Sequence, residues 1–166
     1  MDQRVQFIDC IPRLRRYARA LVSDRAAADD LTQETLERAW TKLAQFRQGS
    51  DLRAWMFSIM HNLHASEHRR HREADTGDRG EPEIGVRATQ GDGLEVRDLD
   101  RALNALPVDS REILLLITLE ELSYVEAAAV LGIPVGTVMS RLSRAREKLR
   151  QLLDSPAAAQ KLTVVK

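Results

Sequence analysis

Two groups of side chains in this 166-residue sequence have the type and spacing to do specific chemistry. The first is a cationic run in which Arg141, Arg144, Arg146, Lys148 and Arg150 stand against one acid, Glu147, between Ser140 and Arg150. At about 100° per helical residue, Val138, Leu142, Ala145 and Leu149 fall on one face and Thr137, Ser140, Arg141, Arg144 and Lys148 on another. One face can pack while the other offers hydroxyls and guanidinium groups suited to base edges and phosphates in a major groove. Taken alone, a basic run is also an ordinary solvated face. The second group is histidine: His61, His64, His68 and His71 lie within about 80° of one helical face. A single straight helix rarely supplies more than two ligands to one ion, so a pH-tunable or DNA-facing surface fits this stripe better than a metal site. No paired carboxylates at ligand spacing, Gly-rich phosphate loop or nucleophile elbow accompanies either group. Neither catalysis nor a cofactor nor a bound metal is therefore expected, and a small metal-dependent enzyme is the weakest of the readings.

The elements that position these groups read as helices. Hydrophobic residues reach 43% and aromatics only 4%, so the apolar content is mainly aliphatic and alanine, which points to an all-α protein. Phe7, Ile11, Leu14, Tyr17, Ala18 and Leu21 recur at helical spacing, as do Leu31, Thr35, Ala39 and Leu43 in a segment from Ala26 to Phe46, with Leu36 and Trp40 beside them. After a break at residues 47–51, which includes Gly49, a third helix runs from about Leu52 into the basic end Arg69, Arg70 and Arg72. Pro107 stops a helix carrying Leu99, Leu103 and Leu106. Asp109 with Glu112, and Ser123 with Glu126, have capping-box spacing ahead of two further helices. The segment Tyr124 to Leu149 then has the form of a helix-turn-helix: small residues Ala127, Ala128 and Ala129 for a close crossing, Gly132 for the turn, and a second helix from Val135 or Gly136.

Five of the eight glycines, six acids and three basic residues fall between Ala74 and Arg97, with few large apolar side chains. That composition predicts a flexible acidic linker. The expected organisation is thus two small helical domains, 1–73 and 98–154, joined by a linker at 74–97 and followed by a tail at 155–166. Domains of this size bury only roughly 60% of their unfolded surface, so each is marginal and stands to lean on a partner. Lys plus Arg balances Asp plus Glu at 25 each, which confines any DNA attraction to local patches. The one cysteine, Cys10, sits in an apolar run and reads as a small buried hydrophobe. No apolar run approaches about 18 residues and no signal-peptide pattern is present, so a soluble cytoplasmic protein is expected.

The stretch from Ala105 to Leu153 resembles the fourth conserved region of bacterial sigma factors. The stretches AADDLTQETLERAW (residues 27–40) and DLRAWMFSIMHNLHASEHRRHR (residues 51–72) resemble their second region. Both regions, in this order and without a third domain, resemble the extracytoplasmic-function (ECF) group. That resemblance implies a protein that directs RNA polymerase core to specific promoters and initiates transcription, under the control of an anti-sigma factor. It implies that Asp30, Leu31, Gln33 and Glu34 dock on the β′ clamp helices of the polymerase. It further implies that Arg47, Ser50, Arg53, Trp55, Asn62, Arg69 and Arg70 meet the minus-10 strand, with Trp55 equally suited to the core. Minus-35 recognition falls to Gly136, Thr137, Ser140, Arg141, Arg144 and Lys148. Met139 stands where the family commonly has lysine, which leaves one phosphate contact in question. The acidic linker resembles a connector that threads toward the RNA exit path. The competing reading is an autonomous helix-turn-helix regulator, for which a chain of zero net charge is poorly equipped.

Overall fold

The structure, a computed structural model, describes residues 2–74 and 94–154. The first unit is three helices, α1 (Gln3–Leu21), α2 (Arg25–Lys42) and α3 (Leu52–Ala74), with one 3₁₀ turn at Leu43–Gln45 where the sequence pattern had continued the second helix. Asp2 and Asp24 cap α1 and α2 through their side chains. Asp51 does the same for α3, its Oδ1 accepting from the Arg53 and Ala54 amides at 2.9 and 3.3 Å. The buried stripe of α1 is Phe7, Cys10, Leu14, Tyr17, Ala18 and Leu21, so Cys10 sits in the core as its neighbours suggested. The stripe of α2 is built from Ala28, Leu31, Thr32, Thr35 and Ala39, whose small side chains let it lie close to its neighbours. Two threonines are tolerated in that core because each hydroxyl donates to a carbonyl one turn back, Ala28 at 2.9 Å and Leu31 at 2.7 Å. Tyr17 meets Phe57 of α3 edge to face at 5.0 Å.

The second unit comprises α4 (Leu94–Ala105), α5 (Val108–Leu114) continuing into a π-helical turn (Leu115–Leu119), α6 (Tyr124–Leu131) and α7 (Val135–Leu153). Its own core joins Leu106, Ile113, Leu114, Ala127, Ala128, Val138, Leu142 and Ala145. The capping box at Ser123 and Glu126 forms in full, and Gly132 ends α6 in the left-handed conformation at φ 64°. The second expected box does not form. Pro107, with an extended ψ of 146°, starts α5 at Val108, so Asp109 lies inside the first turn and Glu112 is free to be used elsewhere. The boundary of the linker also shifts, since Leu94–Arg97 are helical and extend α4 beyond the expected start at 98. The rest of the expected linker, apart from Ala74 at the end of α3, and the tail from Ser155 onward lie outside the described residues.

The two units lean on each other. Leu115, Leu116, Leu122 and Val130 of the second unit belong to the same buried cluster as α1, α2 and α3. The π turn makes this possible: within one continuous helical segment Ile113 and Leu114 face the second unit's core, whereas Leu115 and Leu116 join the first. Backbone bonds from Glu120 N to the Leu115 carbonyl and Leu122 N to the Leu116 carbonyl, both 3.0 Å, close the turn.

Gly132 and Gly136 separate backbone strain from packing, because a Cβ at either position meets nothing within 4 Å. Gly132→Ala places an L residue at φ 64° and is expected to cost about 1–2 kcal/mol. Gly136→Ala, in the first turn of α7, is expected to be neutral or mildly stabilising. Urea midpoints of the two variants should therefore move in different directions; equal losses would contradict the assignment of Gly132 as the conformational stop.

Candidate nucleic-acid and polymerase interfaces

The helix pair α6 and α7 meets at 99°, within the range of DNA-reading helix-turn-helix units. Val138, Leu142 and Ala145 anchor α7 in the core. Ser140, Arg144 and Lys148 are exposed on the other side, and Thr137 and Arg141 are half-buried beside them. In the free chain the Arg144 guanidinium lies back along its own helix, Nε donating to the Ser140 carbonyl at 3.4 Å, and Ser140 Oγ donates to the Thr137 carbonyl at 3.2 Å. Both bonds are at the solvent surface and weak enough to exchange for a ligand. Glu147, the one acid of the run, is engaged by Arg150 at 2.8 Å, which holds its carboxyl below the usual range. Met139 is exposed.

On α2, Asp30, Gln33 and Glu34 are exposed, and Gln33 and Glu34 are bonded only to their own helix, Gln33 to Glu37 at 3.1 Å and Arg38 to Glu34 at 3.1 Å. Leu31 differs from its three companions: at 3% exposure it is a core residue and fixes α2 from below. Sequence reasoning missed Trp40, which is 55% exposed, touches Phe7 edge to face at 5.5 Å, and lies two helical turns beyond Gln33 on nearly the same line. Its position one step off the buried stripe was the available signal.

The loop before α3 turns at Gly49, φ 91°, with Ser50 N donating to the Arg47 carbonyl at 3.2 Å; Arg47 and Ser50 are exposed. Asn62, Arg69 and Arg70 are exposed along α3. Trp55 is half-buried with Phe46 tilted against it at 5.1 Å, so one part of the ring packs and the rest is open, which combines the two roles weighed for it. Arg53 is turned into the second unit. Its Nη1 donates to the Glu120 carbonyl at 3.2 Å, and Nη2 stands 3.9 Å from Glu126 and 3.7 Å from Asp51.

Arg53 is one member of a polar seam between the units that the sequence did not disclose. Arg16 pairs with Glu120 at 2.8 Å, and Nδ1 of His61 lies 2.6 Å from Oε1 of Glu112. Ser23 donates to Asn104 at 3.0 Å. The buried Arg111 donates to four carbonyls, those of Leu21, Leu103, Asn104 and Leu106, at 2.8–3.1 Å. Hydrogen bonding to Glu112 raises the pKa of His61 against the opposing effect of burial, whereas burial lowers that of its neighbour His64. The remaining histidines go elsewhere, His64 stacking on His68 at 6.3 Å and His71 approaching Glu67 at 3.9 Å. Among the described residues no three His, Cys, Asp or Glu side chains converge as a metal site would need. No single helix there is long and apolar enough to cross a membrane.

Residues 7–61 match the family described as the Sigma2 domain of PhyR, and residues 97–149 match Sigma-70, region 4. The chain is 41% identical over 153 residues to the ECF RNA polymerase sigma factor EcfG of Rhodopseudomonas palustris, covering 90% of this chain and 84% of that one. It is 42% identical over 136 residues to the ECF sigma factor SigC of Mycobacterium tuberculosis, covering 78% and 72%. The chain belongs to the ECF sigma factors. It is therefore a subunit that directs RNA polymerase to promoters and starts transcription, and the reading as an autonomous regulator falls away. Among solved structures, the sigma factor RpoE of Bartonella quintana, in complex with the anti-sigma factor NepR, superimposes with a TM-score of 0.79 at 39% identity, over 90% of this chain and 95% of that one. CnrH in complex with the cytosolic domain of CnrY gives 0.67 at 32%, over 92% and 90%. A PhyR–NepR complex at 17% identity and TM-score 0.61, over 90% of this chain and 50% of that one, shares the fold.

The seam gives this sigma factor a pH-dependent stability of known sign. His61 is held protonated by Glu112 in the packed structure, so its contribution is complete below the ordinary histidine pKa of about 6.5 and is lost as pH rises through the raised value. The urea midpoint of the wild type should fall across that window relative to His61→Ala, the gap at low pH being on the order of 1–2 kcal/mol. Parallel pH profiles for the two proteins would contradict it.

Proposed function

We propose that the promoter-directing activity of this sigma factor is divided between its units as follows. The acidic face of α2, Asp30, Gln33 and Glu34 with Trp40 at its end, docks on the clamp helices of the polymerase β′ subunit. Leu31 holds that face in place from the core. An aromatic flanked by acids suits a basic helical partner, since exposed tryptophans are the side chains that most often dominate protein interfaces. The loop at 47–51 and α3 hold the unpaired minus-10 strand through Arg47, Ser50, Arg53, Trp55, Asn62, Arg69 and Arg70. Trp55 offers a ring for base stacking and the arginines meet the backbone. Helix α7 reads the minus-35 element from Gly136 to Lys148. The observation that carries this reading is the 99° helix pair with its hydroxyl and cationic face outward, on a chain whose other unit presents a separate acidic face.

The domain limits that follow are a first unit through Ala74, a connector, and a second unit from Leu94 to Asp154. The acidic connector would occupy a basic channel of the polymerase until nascent RNA displaces it. The RpoE relative was solved with NepR and CnrH with CnrY, so control by an anti-sigma protein is part of the proposal for this chain, which acts in the cytoplasm beside the polymerase.

Reconstituted transcription tests the division of labour. Asp30, Gln33 and Glu34 changed together to Ala should weaken assembly with core polymerase, and Trp40→Ala alone should cost about 2 kcal/mol of it. Unchanged affinity for core would remove the docking face. On promoters varied singly through the minus-35 element, Arg141→Ala or Arg144→Ala should relax the preference at one position by about 1–3 kcal/mol. Lys148→Ala should lower affinity on all promoters alike and reduce the salt slope by about one. A promoter ranking that none of these changes alters would show that α7 is not the reader.

A further inference from the structure

The seam between the units lies on the face assigned above to the minus-10 strand, and its chemistry imitates that of a strand. The second unit brings anionic and carbonyl oxygens to cationic groups of the first at three places: Glu120 at Arg16, Glu112 at His61, and Glu126 with the Glu120 carbonyl at Arg53. Guanidinium groups bind carboxylate and phosphate oxygens through the same donors, so a group engaged by one is withheld from the other. Arg53 is where the two uses collide, being both a strand-contacting residue and a seam residue. We propose that the packed chain is a self-masked state, in which the α5–α6 segment of the second unit occupies the strand-binding face of the first until the units part. This rests on the assignment of that face under the proposed function.

The seam is also built to open. Glu120 is 1% exposed, yet only its Oε1 is paired; Oε2 is buried without a hydrogen-bond partner among the described residues. Leaving a buried polar atom unpaired costs free energy that separation of the units recovers by admitting water. Arg16, its partner, is half exposed and loses little on release. Apolar contacts of Leu116 and Leu122 hold the units together, opposed by this carboxylate, which keeps the packed state from being irreversible.

The test uses the full chain with Ser23→Cys and Asn104→Cys, two seam residues outside every proposed binding surface, joined by a short reducible bismaleimide. Cys10 is buried and stays out of the reaction. The probe is a fluorescein-labelled pool of short single-stranded DNA. Apparent affinity scales with the open fraction, so the bridged chain should bind about tenfold or more weakly than the same protein after the bridge is reduced. Leu116→Asp, which places a charge in the shared cluster, should bind more tightly than wild type even though it adds negative charge, and it does so whether or not the second unit keeps its fold. Equal binding by bridged and reduced chains, or no gain from Leu116→Asp, overturns the masking. If no form binds the free strand, the strand assignment is at fault and transcription with core polymerase decides the masking separately. Initiation that appears only after reduction upholds it, and initiation by the bridged chain overturns it.

Discussion

Arg111 is the residue on which the rest of the arrangement depends. Its guanidinium reaches the last carbonyl of α1, at Leu21, and three carbonyls around the end of α4, at Leu103, Asn104 and Leu106. These are helix-end acceptors that have no partner within their own helices. Buried carbonyls without partners are costly, and so is a buried arginine, but each satisfies the other. One side chain therefore fixes where the first unit ends relative to where α5 begins, and the π turn, the seam and the orientation of α6 follow from that. Burial lowers the pKa of Arg111 without removing its charge in any accessible range.

Two units of this size have few other ways to stay folded. Each has a core of mostly aliphatic and alanine side chains, and neither buries enough surface to be comfortably stable by itself. Sharing Leu115, Leu116, Leu122 and Val130 with the first unit enlarges both cores at once. The consequence is that the stabilising surface and the functional surface overlap: α3 is used both to hold α6 and to present Arg53. Helix α7 and the acidic face of α2 escape this conflict. α7 packs on α4, α5 and α6, and the acidic face of α2 points to solvent.

Periodicity revealed the helices because burial at 3.6-residue spacing is a local pattern, visible in Phe7 to Leu21 or Val138 to Leu149 without knowing what lies opposite. Local capping chemistry was equally legible at Ser123, Glu126 and Gly132. Asp109 with Glu112 shows where such reading stops. The spacing fits a capping box, but Pro107 started the helix earlier and Glu112 found a nonlocal partner in His61, 51 residues away. The seam was invisible for the same reason, since Arg16, Arg53, His61 and Glu120 each look like members of solvated faces until the partner unit is placed. Trp40 was legible as aromatic and not as exposed, because the stripe it borders is narrow and made of small residues. The candidate site residues were found through resemblance of motifs; geometry then separated buried Leu31 from its exposed companions and turned Arg53 inward.

The distance between the two promoter elements gives the packed form its meaning. Their names put them about 25 base pairs apart, which at about 3.4 Å per base pair is on the order of 80 Å along the duplex. A domain of about 70 residues has a radius of gyration near 11 Å, so two in contact cannot reach both elements at once. Promoter engagement by both units therefore requires that the seam open. A seam made only of leucines would resist this with the full hydrophobic free energy of its area, and one made only of exposed ion pairs would hold nothing. The observed mixture, apolar contacts set against a carboxylate with one unpaired oxygen and a histidine that titrates, holds the units together while leaving free energy to be recovered when they separate. Polymerase supplies the alternative contacts. The same property makes the packed form a target for a protein that binds it as it stands, because such a partner needs only to stabilise a state the chain already reaches.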